Sequence, residues 1–133
     1  YGFRGHIPER DGILAALFFL DMMIKLKMKP SQLVAHLYTK VGPHYYNRVD
    51  IHFPADQREA IVSRVANSNP QQVDGVRVVK IDPFDGYRFR LADTSWLLIR
   101  FSGTEPVLRI YAETSSMKRV DSLLDAGKKL AGV

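Results

Sequence analysis

Residues 87–114 read Y-R-F-R-L-A-D-T-S-W-L-L-I-R-F-S-G-T-E-P-V-L-R-I-Y-A-E-T. Three runs inside this stretch carry the two-residue period of strands that are wet on one side, because successive strand side chains face opposite ways. Residues 87–91 alternate cleanly. In residues 95–101, Leu97, Ile99 and Phe101 share one face and Trp96, Leu98 and Arg100 the other. In residues 107–114, Leu108, Ile110 and Ala112 oppose Val107, Arg109, Tyr111 and Glu113. Asp93 and Thr94 turn the chain between the first two runs, and residues 102–106 form the loop between the last two. The purely apolar faces predict a sheet covered by helices on one side. Arg100 and Arg109 then project from the open side, flanking the 102–106 loop.

Outward from this stretch, residues 76–81 read as a further strand, and Asp85-Gly86 is a two-residue hairpin signal leading into residue 87. Residues 56–67 predict a helix with Ile61, Val62 and Val65 on its buried side, ended by Asn67-Ser68-Asn69-Pro70. Residues 44–53 read as a strand closed by Pro54. Residues 116–130 predict a final amphipathic helix with Val120, Leu123, Leu124 and Leu130 inward. The order is therefore strand, helix, four strands, helix, with a boundary before it at Gly42-Pro43.

Ahead of that boundary lie two helices. Asp11 caps the first, predicted to run from Gly12 to about Lys29, and Pro30-Ser31 starts the second, which stops at Gly42-Pro43. The first is apolar on nearly every face, the mark of a helix buried in the middle of a domain. Its most apolar part, residues 13–26, is broken by Asp21 and Lys25 and falls short of the roughly 20 residues of a membrane span. No secretory leader is readable at the start of the sequence. The expectation is a soluble chain cut from a longer protein.

Composition narrows the chemistry. The 133 residues include no cysteine, which removes a disulfide scaffold, a thiol nucleophile and any Cys-ligated metal. With 46% hydrophobic and 25% charged residues the chain is an ordinary globular one rather than a disordered one. Its net charge of +5 suits an anionic ligand, but no run of five or six basic residues marks a nucleic-acid tail. His6, His36, His44 and His52 show no metal-binding spacing. Ser102 is not in a nucleophile elbow, which needs a strand-to-helix turn. Arg88 and Arg90 alternate with Tyr87 and Phe89, which puts those aromatics on the opposite face from the arginines and favours a core role over base stacking.

The 102–106 loop remains. Gly103 tolerates backbone angles that aim successive N–H groups into one hollow, and Ser102 and Thr104 add hydroxyl donors. With Arg100 and Arg109 beside them, these groups suit a phosphate or another oxyanion. The same spacing also fits a plain hairpin with two solvated arginines.

The run at 100–113, R-F-S-G-T-E-P-V-L-R-I-Y-A-E, resembles the phosphate-binding loop of the α-D-phosphohexomutases, the family of phosphoglucomutases, phosphomannomutases and amino-sugar mutases. Residues 5–13, G-H-I-P-E-R-D-G-I, resemble the segment after the sugar-binding loop in the third domain of the bacterial phosphoglucomutase/phosphomannomutase enzymes. The resemblance implies an α+β fold: a TATA-binding-protein-like domain (strand, helix, four antiparallel strands, helix) preceded by two helices left from the domain before it. Residues 1–42 would be the C-terminal remnant of a third, α/β domain, and residues 43–133 the C-terminal phosphate-binding domain.

By the same resemblance, Arg100, Ser102, Gly103, Thr104 and Arg109 grip the phosphate that is not being transferred when a phosphoryl group moves between O1 and O6 of a hexose. His6 and Arg10 are the candidate catalytic residues near the cleft. The resemblance implies Mg²⁺ and a hexose 1,6-bisphosphate for the full-length enzyme, neither bound by this chain, which would be inactive alone. The implied partners are glucose or mannose 1- or 6-phosphate and the remaining domains of a cytoplasmic parent, with no nucleic acid and no membrane. Self-association through the first helix is one outlet for its apolar surface. The alternatives are a phosphoglucosamine-type mutase of the same superfamily and a non-catalytic module binding anions or nucleic acid on the open sheet face.

Overall fold

The computed structural model describes residues 2–133. The chain divides into two compact units, Tyr1–Gly42 and Pro43–Val133. In the first, helix α1 (Gly12–Leu26) starts on Asp11, whose Oδ1 accepts from the Leu14 amide at 2.8 Å. That bond satisfies one of the four donors a helix start leaves open. α1 ends earlier than predicted. Lys27 takes a left-handed φ of 52°, its N–H returns to Ile24, and the N–H of Met28 returns to Met23. Lys29 is extended, as a residue before proline prefers, and Pro30 opens helix α2 (Pro30–Val41). Leu33 of α2 is buried, but no residue of α1 is. Ile13 is 79% exposed and Ile24 66%. The core position expected for α1 is not realised within this unit, because two helices supply no second layer to cover an all-round apolar helix.

The second unit is a two-layer α+β domain. A six-stranded antiparallel sheet runs in the order β1-β6-β5-β4-β3-β2, where β1 is Tyr45–His52, β2 Gln72–Val73, β3 Val76–Asp82, β4 Tyr87–Leu91, β5 Trp96–Phe101 and β6 Val107–Thr114. The first strand thus pairs with the last, Tyr45 opposite Thr114 through to His52 opposite Val107. A 3₁₀ turn (Ala55–Gln57) leads into helix α3 (Arg58–Ala66), and helix α4 (Met117–Ala131) closes the chain. Ile61 and Val65 of α3 and Val120, Leu123, Leu124 and Ala131 of α4 form one core with Phe89, Leu97, Ile99, Leu108, Ile110 and Ala112 of the sheet. Each large side chain buried there contributes about 1.5–3 kcal/mol. Mixed helix and strand, with both helices of this unit on one sheet face, is the TATA-binding-protein-like arrangement the resemblance implies.

Two turns differ from expectation. Asp85-Gly86 does not make a two-residue hairpin. It lies in a four-residue loop, residues 83–86, because Pro83 has no N–H to continue the ladder. The two-residue hairpin is Asp74-Gly75, joining β2 to β3, with φ of 51° and 74°. Both central residues of a type I′ turn need positive φ, and Asp-Gly supplies them. β2 itself, two residues long, is absent from the sequence reading.

Candidate functional site

Arg100 and Arg109 are direct cross-strand partners in the β5–β6 ladder. Leu97, Ile99, Leu108 and Ile110 fill the core beneath, so alternation sends both guanidiniums to the open face. Two like charges this close repel, and carboxylates separate them. Arg100 Nε lies 3.1 Å from Asp85 Oδ1, and Arg109 Nε lies 3.7 Å from Asp50 Oδ2. Asp50 stands opposite Arg109 on β1 and also pairs with Arg48 at 2.8 Å. Asp85 is held in place by Gly86. That residue has φ 97°, and its α-carbon lies so close to β5 that a β-carbon would meet the Ile99 carbonyl oxygen at 2.6 Å.

The loop between the two arginines is polarised. Three of its carbonyls are tied by hydrogen bonds: Ser102 O accepts from Arg58 Nη2 at 2.9 Å, Glu105 O from the Val107 amide at 2.8 Å, and Pro106 O from the Phe53 amide at 3.2 Å. The Ser102 amide is also used, donating to Val107 O at 2.9 Å. The amides of Gly103, Thr104 and Glu105 donate to no acceptor among the described residues. Three successive N–H groups without an acceptor, the first with its peptide carbonyl, Ser102 O, held by Arg58, make a patch of positive partial charge, the kind of backbone arrangement that binds anions. Gly103 contributes differently from the expectation. Its φ is not positive, but a β-carbon on it would meet nothing within 4 Å, so the approach to the amides stays open. Ser102 is buried on the inner side of the loop and Thr104 is exposed.

The fold thus brings together Arg100, Ser102, Gly103, Thr104 and Arg109. His6 and Arg10 belong to the other unit. His6 Nε2 lies 2.9 Å from Asp11 Oδ2, at the carboxylate that caps α1, and Arg10 is exposed. The Leu14 amide and then the His6 ring hold the Asp11 carboxyl below its usual range. Three residues of the site escape sequence reasoning: Asp50, Asp85 and Arg58. Asp50 follows Arg48 in a plain alternating strand, and only the β1–β6 register sets it against Arg109. Arg58 sits 44 positions from the carbonyl it holds.

The open face also carries Tyr46, Trp96 and Tyr111, whose rings pack 6.3–6.4 Å apart. Arg88 lies 4.7 Å above the Trp96 ring and Arg48 5.9 Å from that of Tyr111. These arginines occupy ring faces that a nucleic-acid base would need. Among the described residues no three His, Asp or Glu side chains cluster as a metal site. Among the described residues no helix is long and apolar enough to cross a membrane.

The sequence profile of the C-terminal domain of phosphoglucomutase/phosphomannomutase matches residues 61–129, more than half of the chain. The chain belongs to this family. A phosphoglucomutase/phosphomannomutase of Thermococcus kodakarensis is 34% identical over 129 residues, 96% of this chain and 26% of that protein. A phosphoglucosamine mutase of Methanocaldococcus jannaschii is 34% identical over 123 residues, 90% of this chain and 25% of that protein. A phosphopentomutase of Thermococcus kodakarensis is 29% identical over 106 residues, 80% of this chain and 23% of that protein. The chain therefore spans about a quarter of the length of these phosphomutase relatives. The β5–β6 loop and both strands that carry its arginines lie inside the profile match.

Proposed function

We propose that residues 43–133 are the phosphate-binding domain of a phosphohexomutase and that the β5–β6 loop holds the phosphate that is not being transferred. Residues 1–42 are then the end of the preceding domain. The observation that carries this reading is the polarised loop: three open amides between two cross-strand arginines. The names of the relatives vary in the sugar and agree in the phosphate. That fits a domain that reads only the phosphate, and glucose, mannose or glucosamine phosphates all satisfy it.

A phosphate bound here exchanges water for charge-assisted hydrogen bonds from Arg100, Arg109 and the amides of Gly103, Thr104 and Glu105, with the exposed Thr104 as a hydroxyl donor; the buried Ser102 hydroxyl is not among them. Asp85 lies against the Nε edge of Arg100, while Asp50 balances the charge of Arg109 from 3.7 Å without a hydrogen bond to its Nε, which leaves the terminal guanidinium nitrogens of both for the ligand. Fixing the remote phosphate orients the sugar, so binding energy away from the reacting bond lowers the barrier at it. Mg²⁺, the bisphosphate and the phosphoryl-carrying group belong to the rest of the parent enzyme, in the cytoplasm. This chain alone neither holds them nor catalyses.

The test is titration calorimetry with glucose 6-phosphate, glucose and sulfate. Glucose 6-phosphate should bind and glucose should not. Arg100→Ala should weaken phosphate binding by about 1.5–3 kcal/mol, the worth of a hydrogen bond to a charged group. Equal binding by Arg100→Ala and the unaltered chain overturns the reading.

A further inference from the structure

We infer that Arg58, on the core-side helix α3, is a positioning residue that keeps the loop amides turned toward the anion. This rests on the phosphate reading of the loop. Arg58 Nη2 donates to the Ser102 carbonyl at 2.9 Å, and its guanidinium carbon lies 5.9 Å from the Phe101 ring. In a trans peptide the C=O and the following N–H point to opposite sides of the chain. Holding the Ser102 carbonyl toward Arg58 therefore turns the Gly103 N–H away from it, outward to the exposed side of the loop.

The hold is needed because the next residue is glycine. Rotating the 102–103 peptide by half a turn reverses the φ of residue 103, which an ordinary residue resists and glycine does not. Gly103 carries no side chain to oppose the rotation, and the space beside it is open, since a β-carbon there would meet nothing within 4 Å. The rotated peptide would aim a carbonyl oxygen at the anion in place of a donor. Among the described residues the bond from Arg58 is the one hydrogen bond to Ser102 O, and it opposes this rotation, while the Ser102 amide is fixed separately by Val107. Glycine leaves the loop open to the ligand, and Arg58 removes the freedom that glycine brings.

The experiment is a titration of this chain with inorganic phosphate, followed by amide and carbonyl NMR, for the unaltered protein, Arg58→Met and Arg58→Lys. Methionine keeps an apolar stem over Phe101, and lysine keeps the charge. The amides of Leu97 and Ile110 report whether the core is intact. Arg58→Met should shift the Ser102 carbonyl carbon in the free protein, weaken phosphate about five- to tenfold, and shrink the phosphate-induced shift of the Gly103 amide at saturation. Across the three proteins that saturated shift should follow the Ser102 carbonyl signal. If Arg58→Met binds more weakly but shows the full Gly103 shift at saturation, Arg58 acts only as a nearby charge and the inference fails. It also fails if the Gly103 shift follows charge while the Ser102 signal stays constant. Should Arg58→Met lose its core signals, the comparison with Arg58→Lys decides alone. An unaltered chain whose loop amides ignore phosphate removes the anion site itself, and the role of Arg58 with it.

Discussion

Gly86 and Gly127 are two residues whose missing side chains shape the domain. At Gly86 the left-handed φ and the Ile99 carbonyl both exclude a β-carbon. Gly86→Ala should cost about 1–3 kcal/mol of stability and move Asp85 off Arg100. Thermal unfolding checks the first effect and phosphate titration the second. In α4, a β-carbon on Gly127 would come within 2.6 Å of Ile110 Cγ2 and 3.0 Å of Leu97 Cδ1. Gly127→Val should destabilise the domain by about 1–3 kcal/mol through overpacking, read as a lowered urea midpoint. It should leave the phosphate affinity of the folded fraction unchanged, since the loop lies elsewhere.

Among the elements, α1 depends most visibly on one carboxylate. The Asp11 carboxyl titrates below its ordinary value because the Leu14 amide and the His6 ring favour its charged form. A carboxyl with a lowered folded pKa stabilises above its unfolded value, and that contribution disappears as pH falls through the folded one. Acidification below about pH 4 should therefore fray the first turn of α1, and Asp11→Ala should fray it at neutral pH. Hydrogen exchange at Leu14 measures both. Which elements the sequence reveals follows from length and locality. β6 is eight residues that alternate from Leu108 on and is legible to the residue. β2 is two residues long and carries no period, and of the two Asp-Gly pairs in the second unit the one that forms a hairpin is the one without a proline two residues before it. Arg100 and Arg109 are legible because each sits on an alternating strand beside the same loop. Asp50, Asp85 and Arg58 are not, because each reaches the site through a contact that exists only after the sheet and α3 have packed.

At the scale of the whole molecule, the first unit leaves Phe18, Phe19, Leu20 and Ile24 of α1 exposed. An exposed apolar patch of this kind tends to find a partner. The chain should self-associate, with a light-scattering mass that rises with concentration, and Phe18→Glu should lower the association. A mass independent of concentration contradicts this. In the second unit burial raises the Asp93 carboxyl, but hydrogen bonds from Arg119 and Ser95 outweigh it and lower the carboxyl overall. Its contribution is complete above the unfolded value and fades as pH drops through the lower folded one. Asp93→Asn should therefore make unfolding less steep in pH below about 4. The pairing of β1 with β6 has a consequence for how the protein is made. The ribosome releases Tyr45–His52 well before their partners Val107–Thr114 exist. At about 5–20 residues per second, the nascent chain carries a bare strand edge for several seconds. Asp50 and Phe53 wait for Arg109 and Pro106, so the β5–β6 loop is among the last parts of the domain to take shape.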